Sequence, residues 1–566
     1  MEEEQEEKFP ELLDRESLSN PSREIVRELF ALSGEDALNR ILEQDNCHHL
    51  VQNMTRVDFF WLIKKIGEND SLPLLKMASL EQWQYLLDME IWQKDRLDMD
   101  KTSIWLSRLQ DADLERLVRW LYRDGISLAH YYFLKNIRVE IKKGGEDYDL
   151  PDDFFTLDNL YYIRIMNKKH EEAIGNILRQ MAREDYDRYQ ASLIDMNRFI
   201  PTEVEEEMYR MRNMRLNEDG FLPFHEAISV YSYLKISSLN MDQSPYKLYY
   251  PPEKEINTLV PITPLLYARG SNFLAESAER ISDTSLLDRI RLEFTGICNQ
   301  ILSADGLMVN DIEVLIKICR KAAGYINIGL EKLSGGNLAL SEQFLKNNPL
   351  ISIFRAGFGL ALELKWEADK WTKEAWFIRQ DLKPDFWGDG WSGILMGISQ
   401  KRPSLFKGFQ EGEGFGDFEQ LSEVEDCRII LRRLIVLDRL LETLTARYPL
   451  DKDRIRLSPL TFHPLLFIFW ARMQLKLDPG FSSLSREQAK DFFSLLRTGT
   501  DKPPFRMFGF KDIFIRDFMS SASNVEPDEA RMLKEALSIL WQKFDEEYAW
   551  VATSDIDGRF TNFHLA

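Results

Sequence analysis

The amino-acid sequence predicts an all-α, helix-dominated protein built from several segments. Apolar residues recur at the spacing of helix turns along most of the 566 residues, and runs with strand-like alternation are sparse. Hydrophobic residues make up 44% and aromatic residues 12% of the chain, which is ample for a large buried core. At about 150 residues per domain, this length indicates about three or four domains. We therefore expect stacked helices with at most a small β-hairpin.

The chain begins with an acidic head. The opening residues MEEEQEE lack the basic start and apolar run of a secretory signal, and a mitochondrial presequence avoids acids. Because like charges repel, residues 1–14 are predicted to form a disordered tail. The clearest apolar run, 464–471, is far shorter than the roughly 20 residues that cross a bilayer. Four cysteines in the whole chain make no disulfide framework, so we expect a cytoplasmic protein.

Residues 15–143 are predicted to form a helical-repeat superhelix. The stretch 54–60 aligns with 77–83 at an offset of 77 − 54 = 23 residues, and a looser third copy runs over 113–117. In each copy a polar helix start precedes a bulky apolar face. One helix of this length cannot bury such a face alone, so neighbouring helices must stack on it. The alternative is a chance match between unrelated amphipathic helices.

Residues 154–236 are predicted to form a helical middle segment. The stretch 201–216 crowds glutamates into its first turns and arginines into its last, an order that complements the helix dipole. Asp219 and Gly220 then supply a stop. Within the same segment, 160–166 (LYYIRIM) is the best candidate for a strand.

Residues 262–400 are predicted to form a central Trp-rich helical domain, and 418–566 a C-terminal helical domain. Five of the thirteen tryptophans fall between Trp366 and Trp391, interspersed with acids. A carboxylate such as Glu363 beside indoles can acquire a raised pKa, as in an acid–base site. Glu363, Trp366 and Trp391 are therefore the candidate ligand-binding residues of a pocket. The commoner alternative is tryptophans as core or interface anchors with carboxylates in solvent.

The motifs of common catalytic and metal sites are missing from the sequence. It contains no G-x-x-x-x-G-K-[ST] phosphate loop, no H-E-x-x-H, no E-x-x-H and no C-x-x-C. We therefore assign no catalytic residue, no metal site and no cofactor. On these grounds the sequence leans against an enzyme.

The net charge indicates which kinds of partner the chain can bind. With 72 lysines and arginines, 93 aspartates and glutamates, and histidine taken as neutral, it is 72 − 93 = −21. A negative field repels phosphate backbones and anionic membrane surfaces, so we expect neither nucleic acid nor membrane as a partner. Stacked helices offer long grooves, surplus tryptophan favours interfaces, and negative charge selects basic proteins. The leading interpretation is a helical protein–protein interaction scaffold. The alternatives are an enzyme or small-ligand-binding protein that uses the central pocket, and regulation by divalent ions at the acidic N-terminal superhelix.

Four stretches carry a family resemblance: WQYLLD at 83–88, FFTLD at 154–158, RMRNMRL at 210–216 and GLALELKW at 359–366. They resemble a bacterial family known as the domain of unknown function six-one-seven-eight, over nearly the whole chain. The resemblance implies no established activity, cofactor or catalytic residue. Separately, the segment 36–139 is weakly similar to the N-terminal helical superhelix of bacterial magnesium transporters and to flagellar-motor switch helices. No motif in that segment is specific enough to carry magnesium ligands across.

Overall fold

A computed structural model gives the fold of the chain, which divides into two compact units, the first ending at Ala356 and the second beginning at Gly357. The structure describes residues 21–141, 153–195, 200–239, 261, 265, 273–307, 309, 311–408, 414–450, 461–497, 502–505, 507, 509–522 and 526–556. The predicted acidic tail, residues 1–14, lies outside the described residues.

Helices make up most of both units. Those that begin in the first unit are α1 (Pro21–Ala31), α2 (Gly34–Leu42), α3 (Cys47–Gln52), α4 (Arg56–Ile66), α5 (Leu72–Met77), α6 (Leu80–Glu90), α7 (Met99–Leu121), α8 (Ile126–Asn136), α9 (Glu171–Glu184), α10 (Tyr186–Asp195), α11 (Pro201–Asn217), α12 (Phe224–Ala227), α13 (Phe273–Glu279), α14 (Thr284–Asp305), α15 (Ile312–Ser334), α16 (Leu338–Asn347) and α17 (Leu350–Thr372). Those of the second unit are α18 (Trp376–Arg379), α19 (Asp389–Ser399), α20 (Leu421–Arg447), α21 (Phe462–Gln474), α22 (Arg486–Leu496), α23 (Lys511–Ser521) and α24 (Pro527–Tyr548). This architecture confirms the helix-dominated fold that the sequence predicts.

Strands in the described part of the chain are short and antiparallel. They are β1 (Trp92–Gln93) paired with β2 (Arg96–Leu97), β6 (Leu405–Phe406) paired with β7 (Phe415–Gly416), and a three-stranded sheet in the order β3-β5-β4, made of β3 (Ile137–Ile141), β4 (Phe155–Thr156) and β5 (Tyr161–Ile165). β5 confirms the strand predicted over 160–166. Its alternate residues Tyr161, Ile163 and Ile165 are buried, and Val139 of β3 lies opposite Ile163. The sheet therefore has one apolar face, as a half-buried strand pattern requires.

Side-chain caps fix where the stacked N-terminal helices begin. Thr55 accepts a backbone N–H of the first turn of α4 at 3.0 Å, and Ser79 accepts one of α6 at 3.2 Å. Within α7, Asp113 leaves the helical backbone angles and its carboxylate accepts the N–H of Arg116 at 2.9 Å. A new helical stretch thus starts where the sequence places the third copy. The caps of α4 and α6 are 79 − 55 = 24 residues apart, one more than the offset of the sequence match.

The N-terminal helices pack against the next helix but one. α2 contacts α4 and α4 contacts α6, while α3 contacts α5 and α5 contacts α7. Two rows of stacked helices result, which bury Phe60 and Ile63 of α4 with Trp83 and Leu86 of α6. The helical repeat stays a prediction, as do the segment boundaries proposed from the sequence.

An aromatic core fills the second unit. Phe467 of α21 stacks against Phe544 of α24 and Phe514 of α23, with ring centroids 4.0 and 4.7 Å apart. Trp470, three residues further along α21, packs edge-on against Trp541 at 5.6 Å. Stacked and edge-on contacts of this kind are the arrangements that aromatic pairs favour, and they let the core bury several large rings together. Among the helices of the described residues, none is both long and apolar enough to span a membrane.

Candidate functional site

The three residues of the predicted pocket lie on α17 and α19. Glu363 is half-buried on α17, and Trp366 on the same helix is 47% exposed. Trp391 of α19 is half-buried and stacks on Phe462, with ring centroids 5.4 Å apart. The pocket stays a prediction.

A buried carboxylate, which the sequence does not indicate, contacts the same tryptophan-rich region. Asp438 of α20 accepts the backbone N–H groups of Trp376 and Phe377 at 2.8 and 3.0 Å and the indole N–H of Trp371 at 3.2 Å. Burial raises the pKa of Asp438, although these hydrogen bonds oppose the rise. The two backbone donors belong to α18 and the indole donor to α17, so Asp438 fixes both helices against α20 and we interpret it as a structural residue.

An extensive charged cluster among the described residues of the first unit joins α11 to the stacked helices. Arg215 of α11 donates from Nε and Nη2 to the two carboxylate oxygens of Asp88 on α6, both at 2.7 Å. Asp88 is buried, so its carboxylate is shielded from water, whereas the Arg215 side chain is 39% exposed. We name this cluster, with Arg212, Arg56 and Asp219 described below, the α11 clamp.

Arg212 is the second arginine of α11 in the clamp. Its Nε donates to the backbone carbonyl of Asp88 at 2.6 Å, and its guanidinium lies 5.7 Å from the ring centre of Trp92. Burial lowers the pKa of Arg212, although the Asp88 charge opposes the change. A planar guanidinium can donate from its edge to a carbonyl while its face lies toward an indole, whereas the ammonium of a lysine has no such face.

Arg56, the first residue of α4, holds the end of α11 and the turn after it. It pairs with Asp219 at 2.8 Å, Glu218 at 2.9 Å and Glu81 at 3.2 Å, and it lies 5.8 Å from the ring centre of Tyr85. One cation therefore serves three carboxylates. Burial, followed by repulsion from the other two carboxylates, raises the pKa of Asp219 to about 6, although Arg56 opposes the rise. Burial also raises the pKa of the Tyr85 hydroxyl.

The turn after α11 is also fixed against α14. Asn299 of α14 donates to the backbone carbonyl of Asp219 at 2.6 Å. Gly220 has a φ of +83°, and a Cβ there would lie 2.6 Å from Cα of Gly296 on α14. Only glycine fits this conformation and this close approach, which confirms the stop predicted at Asp219 and Gly220.

The opposite side of α11 faces solvent. Leu216 is the one buried residue among its seventeen, whereas Met211 and Met214 are 45% and 62% exposed. Glu205, on the inner side, accepts the backbone N–H of Leu97 in β2 at 2.9 Å. The helix is thus held by polar contacts along one side and presents methionines on the other.

A family model described as "Family of unknown function (DUF6178)" matches residues 15–566. The chain belongs to this family. Two of the stretches that carry the DUF6178 resemblance, 83–88 and 210–216, meet in the clamp, because Asp88 of the first binds Arg215 of the second. Comparison with curated proteins and with solved structures gives no match.

Sequence reasoning missed the clamp in this DUF6178 protein. It interpreted the arginines of α11 as complements to the helix dipole. The signal that could have found the clamp is the i, i+3 spacing of Arg212 and Arg215, which places both on one side of the helix. Asp88 gave no signal, since an acid inside an amphipathic helix usually faces solvent.

Among the described residues, no group of three or more histidine, cysteine, aspartate or glutamate side chains is arranged to hold a metal ion.

Proposed function

We propose that this protein is a cytoplasmic helical scaffold that binds other proteins, and that the outer side of α11 is its docking surface. The observation that carries the proposal is the two-sided character of α11. Its inner side is held by the clamp, while Met211 and Met214 stay exposed on its outer side.

Exposed methionines on a fixed helix favour protein binding. Methionine is flexible and polarizable, so it adapts to differently shaped apolar partners. Burying a whole methionine side chain contributes about 1.5–3 kcal/mol, so covering the exposed half of one contributes about 1 kcal/mol. The clamp keeps α11 helical and in place before binding, so a partner need not order it.

The state of the cysteines supports a reducing compartment. All four cysteines are free thiols. Cys298 and Cys319 are buried with their sulfur atoms 3.8 Å apart, and they stay unbonded. Unbonded neighbouring thiols are typical of cytoplasmic proteins.

The experiment places a photo-crosslinking amino acid at Met214 and, as a matched control, at Met166, another exposed methionine of the first unit. We expect crosslinks to a discrete protein from Met214 and none from Met166. The crosslinked protein is then purified, and its Kd is measured against the wild type, Met211→Ala/Met214→Ala and the control Met166→Ala. A Kd raised about tenfold or more by the α11 variant alone supports the proposal. Equal crosslinking from both positions, or an unchanged Kd, contradicts it.

A further inference from the structure

The outer side of α11 carries charge as well as methionines, and the two are separated along the helix. Glu203, Glu207, Arg210 and Met214 follow one another at intervals of three or four residues, and all are exposed. They therefore form one solvent-facing line. The acids lie at its beginning and Met214 at its end, with the exposed Met211 beside it.

The acidic half of this line is net negative. Glu203, Glu206 and Glu207 are exposed, and Arg210, which is also exposed, pairs with Glu207 at 3.7 Å. The arginines that could neutralise the acids further, Arg212 and Arg215, are instead engaged by Asp88. Among the residues of α11 itself, the outer side therefore carries three exposed carboxylates and one exposed guanidinium.

The geometry specifies a spacing between the two halves. Glu206 and Met214 are eight residues apart, which is about 12 Å along a helix at 1.5 Å per residue, within a range of about 6 Å for Glu207 and Met211 to about 17 Å for Glu203 and Met214. A partner helix lying along α11 would need its basic side chains about 12 Å from its apolar anchor. Two turns of helix supply that distance, so a single amphipathic segment can satisfy both halves.

We propose, building on the scaffold function above, that the partner docks on α11 through a basic amphipathic helix. Its lysines or arginines lie against Glu203, Glu206 and Glu207, and its bulky apolar residues cover Met211 and Met214. The charge of the chain, −21, favours this occupant over a second copy of the chain, whose equal charge repels it. Helix-on-helix docking through i, i+4 and i+7 anchors is an established mode of peptide recognition.

The test uses the full chain and a fluorescein-labelled 16-residue peptide with leucine and lysine at helical spacing. A Leu/Glu peptide of the same pattern is the control ligand. Binding is measured by fluorescence anisotropy for the wild type, for Met211→Ala/Met214→Ala, and for Glu203→Gln/Glu206→Gln/Glu207→Gln. The matched charge control is Glu172→Gln/Glu313→Gln/Glu487→Gln, which changes three exposed glutamates in the first turns of α9, α15 and α22.

We expect the Leu/Lys peptide to bind and each α11 variant to weaken it about tenfold, with the charge control within about twofold of wild type. Raising the salt concentration should remove the glutamate effect and leave the methionine effect. Equal weakening by the charge control, or equal binding of the two peptides, overturns the inference, because attraction is then general. A Met214 crosslink to a protein that has no basic helix also overturns it and leaves the scaffold function standing. A missing crosslink counts against the scaffold function itself.

Discussion

Replacing Lys64 by methionine should destabilise the first unit strongly. Lys64 lies on α4 with its side chain 1% exposed, and its ammonium pairs with Glu68 at 2.5 Å and with Glu90 at 2.7 Å. Glu68 has a second partner, since Arg108 binds it at 2.7 Å. Glu90 is 6% exposed and depends on Lys64, so the substitution leaves a buried carboxylate without its cation.

The magnitude follows from that geometry. At 2.7 Å and an effective dielectric constant of about 20, the gross attraction of the Lys64–Glu90 pair is about 6 kcal/mol. Removing one partner of a buried pair costs about 3–5 kcal/mol net, and we expect a loss of this size in the free energy of unfolding at pH 7. Burial already raises the pKa of Glu90, with Lys64 opposing the rise, so the loss should shrink as pH falls and Glu90 becomes protonated.

The assay is urea unfolding combined with hydrogen exchange of α4 and α6 in the full chain. The matched control is Lys65→Met, which changes the next residue of the same helix, a half-buried lysine, and should cost less than about 1 kcal/mol. The double variant Lys64→Met/Glu90→Gln should recover most of the loss, because no lone charge remains. A Lys64→Met variant as stable as Lys65→Met, or a double variant no better than the single one, refutes the reasoning.

Three further predictions concern other buried carboxylates. Asp88→Ala should release α11, because it removes two charge-assisted hydrogen bonds worth about 3 kcal/mol together. Amide hydrogen exchange of 201–217 should then rise about 100-fold, while the exposed control Asp95→Ala should leave it unchanged. Equal protection of these amides in both variants would contradict the clamp. Asp219 has a folded pKa of about 6 against 3.8 unfolded, so the folded state binds the extra proton and stability falls as pH rises through this window. Relative to Asp219→Asn, the wild type should therefore lose up to about 3 kcal/mol of unfolding free energy between pH 4 and pH 7. Urea unfolding of both proteins at several pH values measures this loss. If the unfolding free energies of the two proteins change in parallel with pH, Asp219 does not titrate in this range. Asp438→Asn places an amide nitrogen against an N–H donor and should lower the free energy of unfolding by about 2–3 kcal/mol. Tryptophan fluorescence should then report unfolding at a lower urea concentration. An unchanged urea midpoint would contradict the role of Asp438 in fixing α18.

Helix type and helix ends could be predicted because they depend on local chemistry. The stretch 201–216 folds as α11, and the cap at Asp113 starts a helical stretch in the predicted place. Lys64 and Lys65 show the limit of such reasoning. They are adjacent and identical in type, yet Lys64 is buried in a charge network and Lys65 is partly exposed. Which lysine is buried depends on Glu90 and Arg108, which are distant in sequence and reach Lys64 or its partner Glu68 only through packing.

The clamp was hidden for the same reason. Asp88 and Arg215 are 127 residues apart, and neither belongs to a motif with known chemistry. The candidate pocket residues follow from the unusual composition of 366–391. Composition shows where aromatic side chains are concentrated along the chain, but it does not show how they face one another. Asp438, which contacts three members of that region, lies 47 residues beyond Trp391 and escaped the same search.

The contact of Gly220 with Gly296 sets unequal limits on how these two positions can diverge among related proteins. A methyl group at position 220 would collide with the backbone of α14, whereas one at position 296 would meet no atom of the described residues within 4 Å beyond the backbone of its own helix. Position 220 should therefore admit glycine alone across relatives, while position 296 should drift to alanine or serine. Because position 220 lies in the turn after α11, the chain leaves this helix in a fixed direction that mutation cannot easily alter.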